Sequence, residues 1–170
     1  MKKLVTQTTW YKLPLLFFLV FMAQVFSAEA QQLSYHGRIV DGVTNLGVTG
    51  SIDFKIQVRT SASAGANCIM YEETQTKTLN NGVFVIGINN GVGVRTDSTG
   101  YSLAQIFSNK NSFGSFNLPA AGCAPAVGFV YTPAANEGRR VNILFYDALN
   151  MPPGTWEPLP TQTVAYVQQL

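Results

Sequence analysis

The sequence predicts a mainly β fold, a single antiparallel β-sandwich with one short helix near residues 102–109. Three observations lead there. Ile52, Phe54, Ile56 and Val58 alternate with Asp53, Lys55, Gln57 and Arg59, the period of a strand with one face on a core and one in water. Asn80-Asn81-Gly82 separates two β-prone runs, 67–79 and 83–88. Asn and Gly tolerate the positive φ of tight turns, so residues 67–91 read as a hairpin at the centre of the fold. Short strand-like segments then recur with turn formers between them, as in a sandwich.

Residues 1–30 read as a leader outside that fold. Lys2, Lys3 and Lys12 are followed by an almost wholly apolar run from Leu13 to Phe26, and Ala28-Glu29-Ala30 has the small-x-small form that signal peptidase accepts. The competing reading is an N-terminal membrane anchor. The run falls short of the roughly 20 residues a spanning helix needs, and a cleavage site follows it directly. The expectation is therefore cleaved export, with no stable membrane span afterwards. The product would reside in the periplasm, at the cell surface or outside the cell.

The remaining 140 residues suit one domain, 31–170, with a sizeable core. Leu33 to Asp41 is a plausible first strand, and 42–50 is a loop rich in turn formers. The alternating run at 52–59 is the second strand, and the small-residue stretch 61–66 leads to Cys68 and the hairpin. Ser102 with Gln105 three residues on has the form of a capping box, and Leu103, Ile106 and Phe107 share a helical face, which places a short helix ending near Asn109. Residues 111–126 are rich in Ser, Gly, Pro and Ala. Two strands are expected at 128–132 and 139–146. Four prolines between Met151 and Pro160 predict an extended crossing without regular structure. Residues 161–170 read as a last strand or as the start of something further.

The leader takes three of the 11 basic residues and one of the nine acidic ones, leaving eight of each. A formally neutral mature chain has no electrostatic basis for binding nucleic acid. Two cysteines in an exported chain favour a Cys68–Cys123 disulfide over free thiols with metal or redox work. Such a bond would close a 55-residue loop, on the order of 4 kcal/mol by loop-closure arithmetic.

No catalytic constellation stands out. His36, the single histidine, has Ser34 and Arg38 as its same-face neighbours, and no Gly-x-Ser-x-Gly elbow accompanies it. Asp97-Ser98-Thr99-Gly100 lacks the spacing and the second copy of an aspartic protease, so it reads as a turn. Asp41, Asp53, Asp97, Glu137 and Asp147 are scattered, and Glu72-Glu73 should face opposite ways along a strand, so no metal site is expected. No phosphate-cradling glycine loop is present. The expectation is a protein that is not an enzyme and needs no cofactor.

Tyr35-His-Gly-Arg-Ile-Val-Asp41, Asn67-Cys-Ile-Met-Tyr-Glu-Glu73, Asn81-Gly-Val-Phe84, Tyr131-Thr-Pro-Ala-Ala-Asn-Glu-Gly-Arg139 and Val141-Asn-Ile-Leu-Phe-Tyr-Asp147 occur in that order. Together they resemble the leader-proximal domain of the mosaic adhesive trimer fibre proteins of predatory bacteria of the bdellovibrio type. In that family, a Tyr-x-Gly-Arg opening and a Tyr-Thr-Pro-Ala element precede a trimeric fibre with a variable adhesive tip. The resemblance covers most of the mature chain through short motifs. It does not extend to a shaft or tip, so ligand specificity does not carry over. Gly-Arg-Ile-Val-Asp-Gly and Asn-Gly-Val-Phe are also more distantly similar to transthyretin-like and carboxypeptidase-regulatory β-sandwich modules.

Two function classes follow. The first is a structural or adhesive module of a cell-envelope or extracellular fibre, a homotrimer or a partner of longer fibre proteins, with Val164, Tyr166 and Val167 as candidate oligomer contacts. The second is a monomeric periplasmic domain that binds, or inhibits, a glycan or protein. For the second, Tyr101, Phe113, Phe116, Tyr131 and Trp156 lie in or beside loops and offer faces for sugar stacking, against the alternative that they pack the core.

Overall fold

The computed structural model describes residues 33–64, 67–114, 116, 123, 130–160 and 162–164, with residues 63 and 162–164 described by backbone alone. The leader and its cleavage site lie outside these residues. Among the described residues eight strands, one α-helix and a 3-10 turn (Ala62–Ala64) follow; in order the strands and α-helix are β1 (Leu33–Arg38), β2 (Gly50–Arg59), β3 (Ile69–Leu79), β4 (Val83–Ile88), β5 (Val94–Arg95), α1 (Leu103–Phe107), β6 (Arg139–Tyr146), β7 (Glu157–Pro158) and β8 (Gln162–Val164). They form two antiparallel sheets. The larger runs β5-β3-β2-β6, with β7 and β8 end to end along the far edge of β6; the smaller is β1-β4.

The alternation in β2 explains the core. Ile52, Phe54, Ile56 and Val58 are at most 1% exposed. Val141 and Ile143 of β6 stand beside them on the same face, as do Tyr71, Glu73 and Gln75 of β3. Phe84, Ile86 and Ile88 of β4 close the layer from the other side, with the Phe54 and Phe84 ring centroids 4.8 Å apart. Each such aliphatic or aromatic side chain contributes about 2 kcal/mol by leaving water.

The Asn-Gly turn adopts the expected geometry but does not make the expected hairpin. Asn81 and Gly82 both have positive φ, and an isolated Asn80–Val83 bridge closes the turn. Beyond it the strands part, β3 pairing with β2 and β4 with β1. The turn thus carries the chain from one sheet to the other. Its backbone groups are taken elsewhere: Ile39 N–H donates to Gly82 O (2.9 Å) and Gly82 N–H to Val48 O (2.7 Å). Arg38 donates to Asn81 O (3.0 Å) and Oδ1 (2.8 Å). β4 thus lies over β2 and β3, and its alternate residues Phe84, Ile86 and Ile88 face them across the core.

α1 starts as expected, with Ser102 and Gln105 forming the full capping box and Leu103, Ile106 and Phe107 buried. It stops at Phe107 because Asn109 is used otherwise. Its side chain donates to Ala135 O (3.1 Å) and Glu137 O (2.9 Å) and accepts from Arg139 (2.9 Å). Arg139 is completely buried and also donates to Ile106 O (2.8 Å) and Glu137 O (3.1 Å). Burial holds its pKa below the usual arginine range. The strand expected at 128–132 is reduced, among its described residues, to a bridge between Tyr131 and Phe113. The proline-rich segment does contain regular structure, since Glu157–Pro158 pairs with Leu144–Phe145 at the sheet edge, where a missing N–H is tolerated. Cys68 and Cys123 form a buried disulfide with Cα atoms 4.6 Å apart.

Candidate functional site

The outward face of the larger sheet carries the residues that the alternation of β2 turns away from the core. Asp53 stands between Thr76 and Tyr146, Lys55 between Thr74 and Leu144, Gln57 between Glu72 and Asn142, and Arg59 beside Arg140. At one end the polar groups satisfy each other. Gln57 donates to Glu72 (2.6 Å), Arg59 donates to Gln57, and Arg140 donates to Thr60 O and Asn67. Partial burial and the adjacent Arg140 lower the Arg59 pKa, with Glu72 opposing them.

The other end is a groove of about 550 Å³ lined by Asp53, Thr74, Gln75, Thr76, Val92, Val94 and Trp156. Four segments build it. β2 and β3 provide the floor, where Thr76 donates to Asp53 Oδ1 at 2.6 Å. The 147–156 loop brings Trp156 back over the sheet; Asp147 O accepts from Met151 N (2.8 Å), Pro152 O accepts from Thr155 N (3.1 Å), and β7 then locks the chain to β6. Trp156 rests beside Tyr146 (ring centroids 5.8 Å apart), with Lys55 Nζ 4.3 Å from its ring centroid. Val92 and Val94, 63% and 67% exposed, form an apolar wall. They are held by β5 and by Arg95, which pairs with Asp97 at 2.7 Å, donates to Tyr101 O at 2.7 Å and lies over the Tyr71 ring.

The five aromatic candidates separate. Trp156 lines the groove. Phe113, Phe116 and Tyr131 are buried in the core, and Tyr101 packs edge-on against Phe113 while its hydroxyl donates to Gly114 O. Phe113 in turn stacks on Tyr131. These four are packing residues, and the Arg139 guanidinium lies over the Phe113 and Tyr131 rings. The side chain of Val164, and all of Tyr166 and Val167, lie outside the described residues. His36 is exposed on the smaller sheet opposite Val85.

The scattered carboxylates serve local structure. Asp41 accepts from Thr44 and Val43, which lowers its pKa, and Asp147 accepts from Leu149 N and Asn150. Glu72 is half-exposed, whereas Glu73 is buried and accepts from Tyr71 and Gln75. Burial and that contact push the Tyr71 phenol well up. Among the described residues no three His, Cys, Asp or Glu side chains group closely enough to hold a metal ion, and no helix is long and apolar enough to cross a membrane.

Sequence reasoning missed Thr74, Val92 and Val94 as groove residues and Lys55 as the cation beside Trp156. Only the outward phase of β2 pointed to Lys55, and nothing local shows that β5 and β7 flank the same patch. The motifs behind the fibre-protein resemblance are used for packing: Tyr35 stacks on Phe84, and the Phe84 ring covers Gly37. Comparison with protein-family models, curated proteins and solved structures finds no match to this chain.

Proposed function

We propose that this chain is an exported, non-enzymatic β-module that works by surface contact, as a structural or adhesive unit of a cell-envelope or extracellular fibre. The observation that carries the reading is the outward face of the larger sheet. It holds a groove with an aromatic ring, an apolar wall and partly exposed polar groups on a rigid floor, the makings of a contact surface. The described carboxylates and the histidine, by contrast, are spread over both sheets and their loops. The disulfide agrees with an oxidising compartment. The fibre-protein motifs add the expectation of a homotrimer or of longer fibre partners.

Light scattering on the disulfide-bonded chain at high micromolar concentration tests the assembly. A trimer or larger species is expected, and a strict monomer would remove the fibre reading. The second reading, a monomeric glycan- or protein-binding domain, is favoured specifically by Trp156 in the groove. A monomer that binds through Trp156 would establish it.

A further inference from the structure

We propose that the Trp156 groove binds an uncharged saccharide. The inference deepens the surface-contact reading and rests on it. Among the described residues, three polar groups in or beside the groove, on Asp53, Thr74 and Lys55, form no ion pair and keep hydrogen-bonding capacity to spare. Asp53 Oδ2 is unused, since the only hydrogen bond to this carboxylate comes from Thr76 to Oδ1. The Thr74 hydroxyl makes no hydrogen bond, and Lys55 Nζ has the Trp156 ring but no carboxylate. Lys55 and Thr74 are directly paired across the strands, and Asp53 is two residues along on the same face. Side chains so placed project about 5 to 7 Å apart. An acceptor, a donor and a hydroxyl able to do either thus stand within reach of a single sugar ring.

The apolar side of the groove fits the same ligand. A pyranose presents a face of C–H groups with slight positive charge, which takes the place of Lys55 Nζ over the negative face of the indole and frees that ammonium for a sugar hydroxyl, and Val92 and Val94 stand beside it. Its hydroxyls then reach Asp53, where one charged acceptor can take two neighbouring O–H donors in charge-assisted hydrogen bonds. The charge pattern selects against ions. One carboxylate and one ammonium, not paired with each other, sum to zero, so the groove offers an ionic sugar no net attraction and sets each attraction against a repulsion from the other group. Glu72, Arg59 and Arg140, the nearby charges on this sheet face, are engaged with one another or with Gln57, Thr60 and Asn67.

The test is an immobilised panel of neutral oligosaccharides of glucose, galactose, mannose and N-acetylglucosamine, with sialylated and uronic-acid glycans beside them. The full chain would be expressed with its own leader and its disulfide formed. Binding to neutral members is expected, unchanged at 0.5 M salt. Trp156→Ala should weaken it at least tenfold, Asp53→Asn about tenfold and Thr74→Val severalfold, while His36→Ala on the other sheet leaves it unchanged. Near-ultraviolet circular dichroism checks that Trp156→Ala is folded, and the smaller Asp53→Asn and Thr74→Val changes keep the test decisive if it is not. No binding to the panel, binding only to acidic glycans, or binding indifferent to all three groove variants overturns the inference. If the chain still assembles in that case, the saccharide inference fails alone. If it binds the panel as a strict monomer, the groove stands and the fibre reading falls.

Discussion

The Gln75 side-chain amide crosses from the larger sheet to the smaller and donates to the Gly87 carbonyl at 2.7 Å. Its Nε2 also donates to Glu73, which accepts in addition from the Asn89 N–H. Among the described residues β4 has its ladder on the β1 side, and these side chains tie it to the opposite sheet. Gln75→Leu removes both donations, to the Gly87 carbonyl and to the buried Glu73 carboxylate, a loss on the order of 2 kcal/mol. The expected result is a lower urea midpoint with an unchanged slope. A change under 0.5 kcal/mol would show that these bonds are not structural.

Gly37 is the place where the sheet admits a ring. A Cβ there would lie 2.4 Å from Phe84 Cζ, and Phe84 is confined by Phe54 and Tyr35. Gly37→Ala should cost about 1–3 kcal/mol by overpacking. Pairing it with Phe84→Leu should recover part of the stability that the two single changes lose, as seen in a double-mutant cycle.

Arg139 joins the C-terminal end of α1 to the 134–138 turn through bonds to Ile106, Asn109 and Glu137, and its guanidinium lies 5.2 Å from the Tyr131 ring centroid. Lysine cannot reproduce that planar fork. Arg139→Lys is expected to destabilise by on the order of 3 kcal/mol. Hydrogen exchange should accelerate first in α1 and residues 134–138. Uniform acceleration over both sheets would contradict the assigned role.

Reducing the Cys68–Cys123 bond should lower the melting temperature, because it frees a 55-residue loop in the unfolded chain, on the order of 4 kcal/mol. Cys68→Ser and Cys123→Ser should be equally damaging. Unequal effects would mean that a thiol acts outside the pair.

Burial raises the Asp97 carboxyl, but donation from Arg95, the Glu72 N–H and Thr99 outweighs it and leaves the pKa below the ordinary carboxylate range. The folded value is the depressed one. The stability Asp97 contributes is therefore present above the unfolded pKa of about 4 and is lost as pH falls through the folded value. Denaturation midpoints should drop as pH falls below about 4, and Asp97→Asn should lower the midpoint at pH 7 while flattening that drop. An unaltered acid slope in the variant would assign the loss to other carboxylates.

Much of the local structure was legible in the residues. The β2 alternation, the Ser102 capping box and the positive-φ Asn81-Gly82 turn are short-range signals, and each appears where its chemistry placed it. The β3–β4 hairpin failed because a turn specifies how the chain reverses, not which strand each arm pairs with. Pro158 in β7 was missed because an edge strand can dispense with an N–H that a central strand needs. Residue type gives no sign that Gln75 and Arg139 are buried, and only their partners in the fold show it.

By itself the sequence determined a mainly β chain, its inward-facing residues, its helix start and the one available cysteine pairing, all matters of period, turn chemistry and count. Tertiary structure decided which strands share a sheet, that Phe113 and Tyr131 pack inward while Trp156 stays at the surface, and that Asp53, Lys55 and Thr74 meet beneath it. The physical reason is range. Backbone preference acts over a few residues, whereas the groove joins side chains from β2, β3 and the 147–156 loop, and only burial of the shared core brings those segments together.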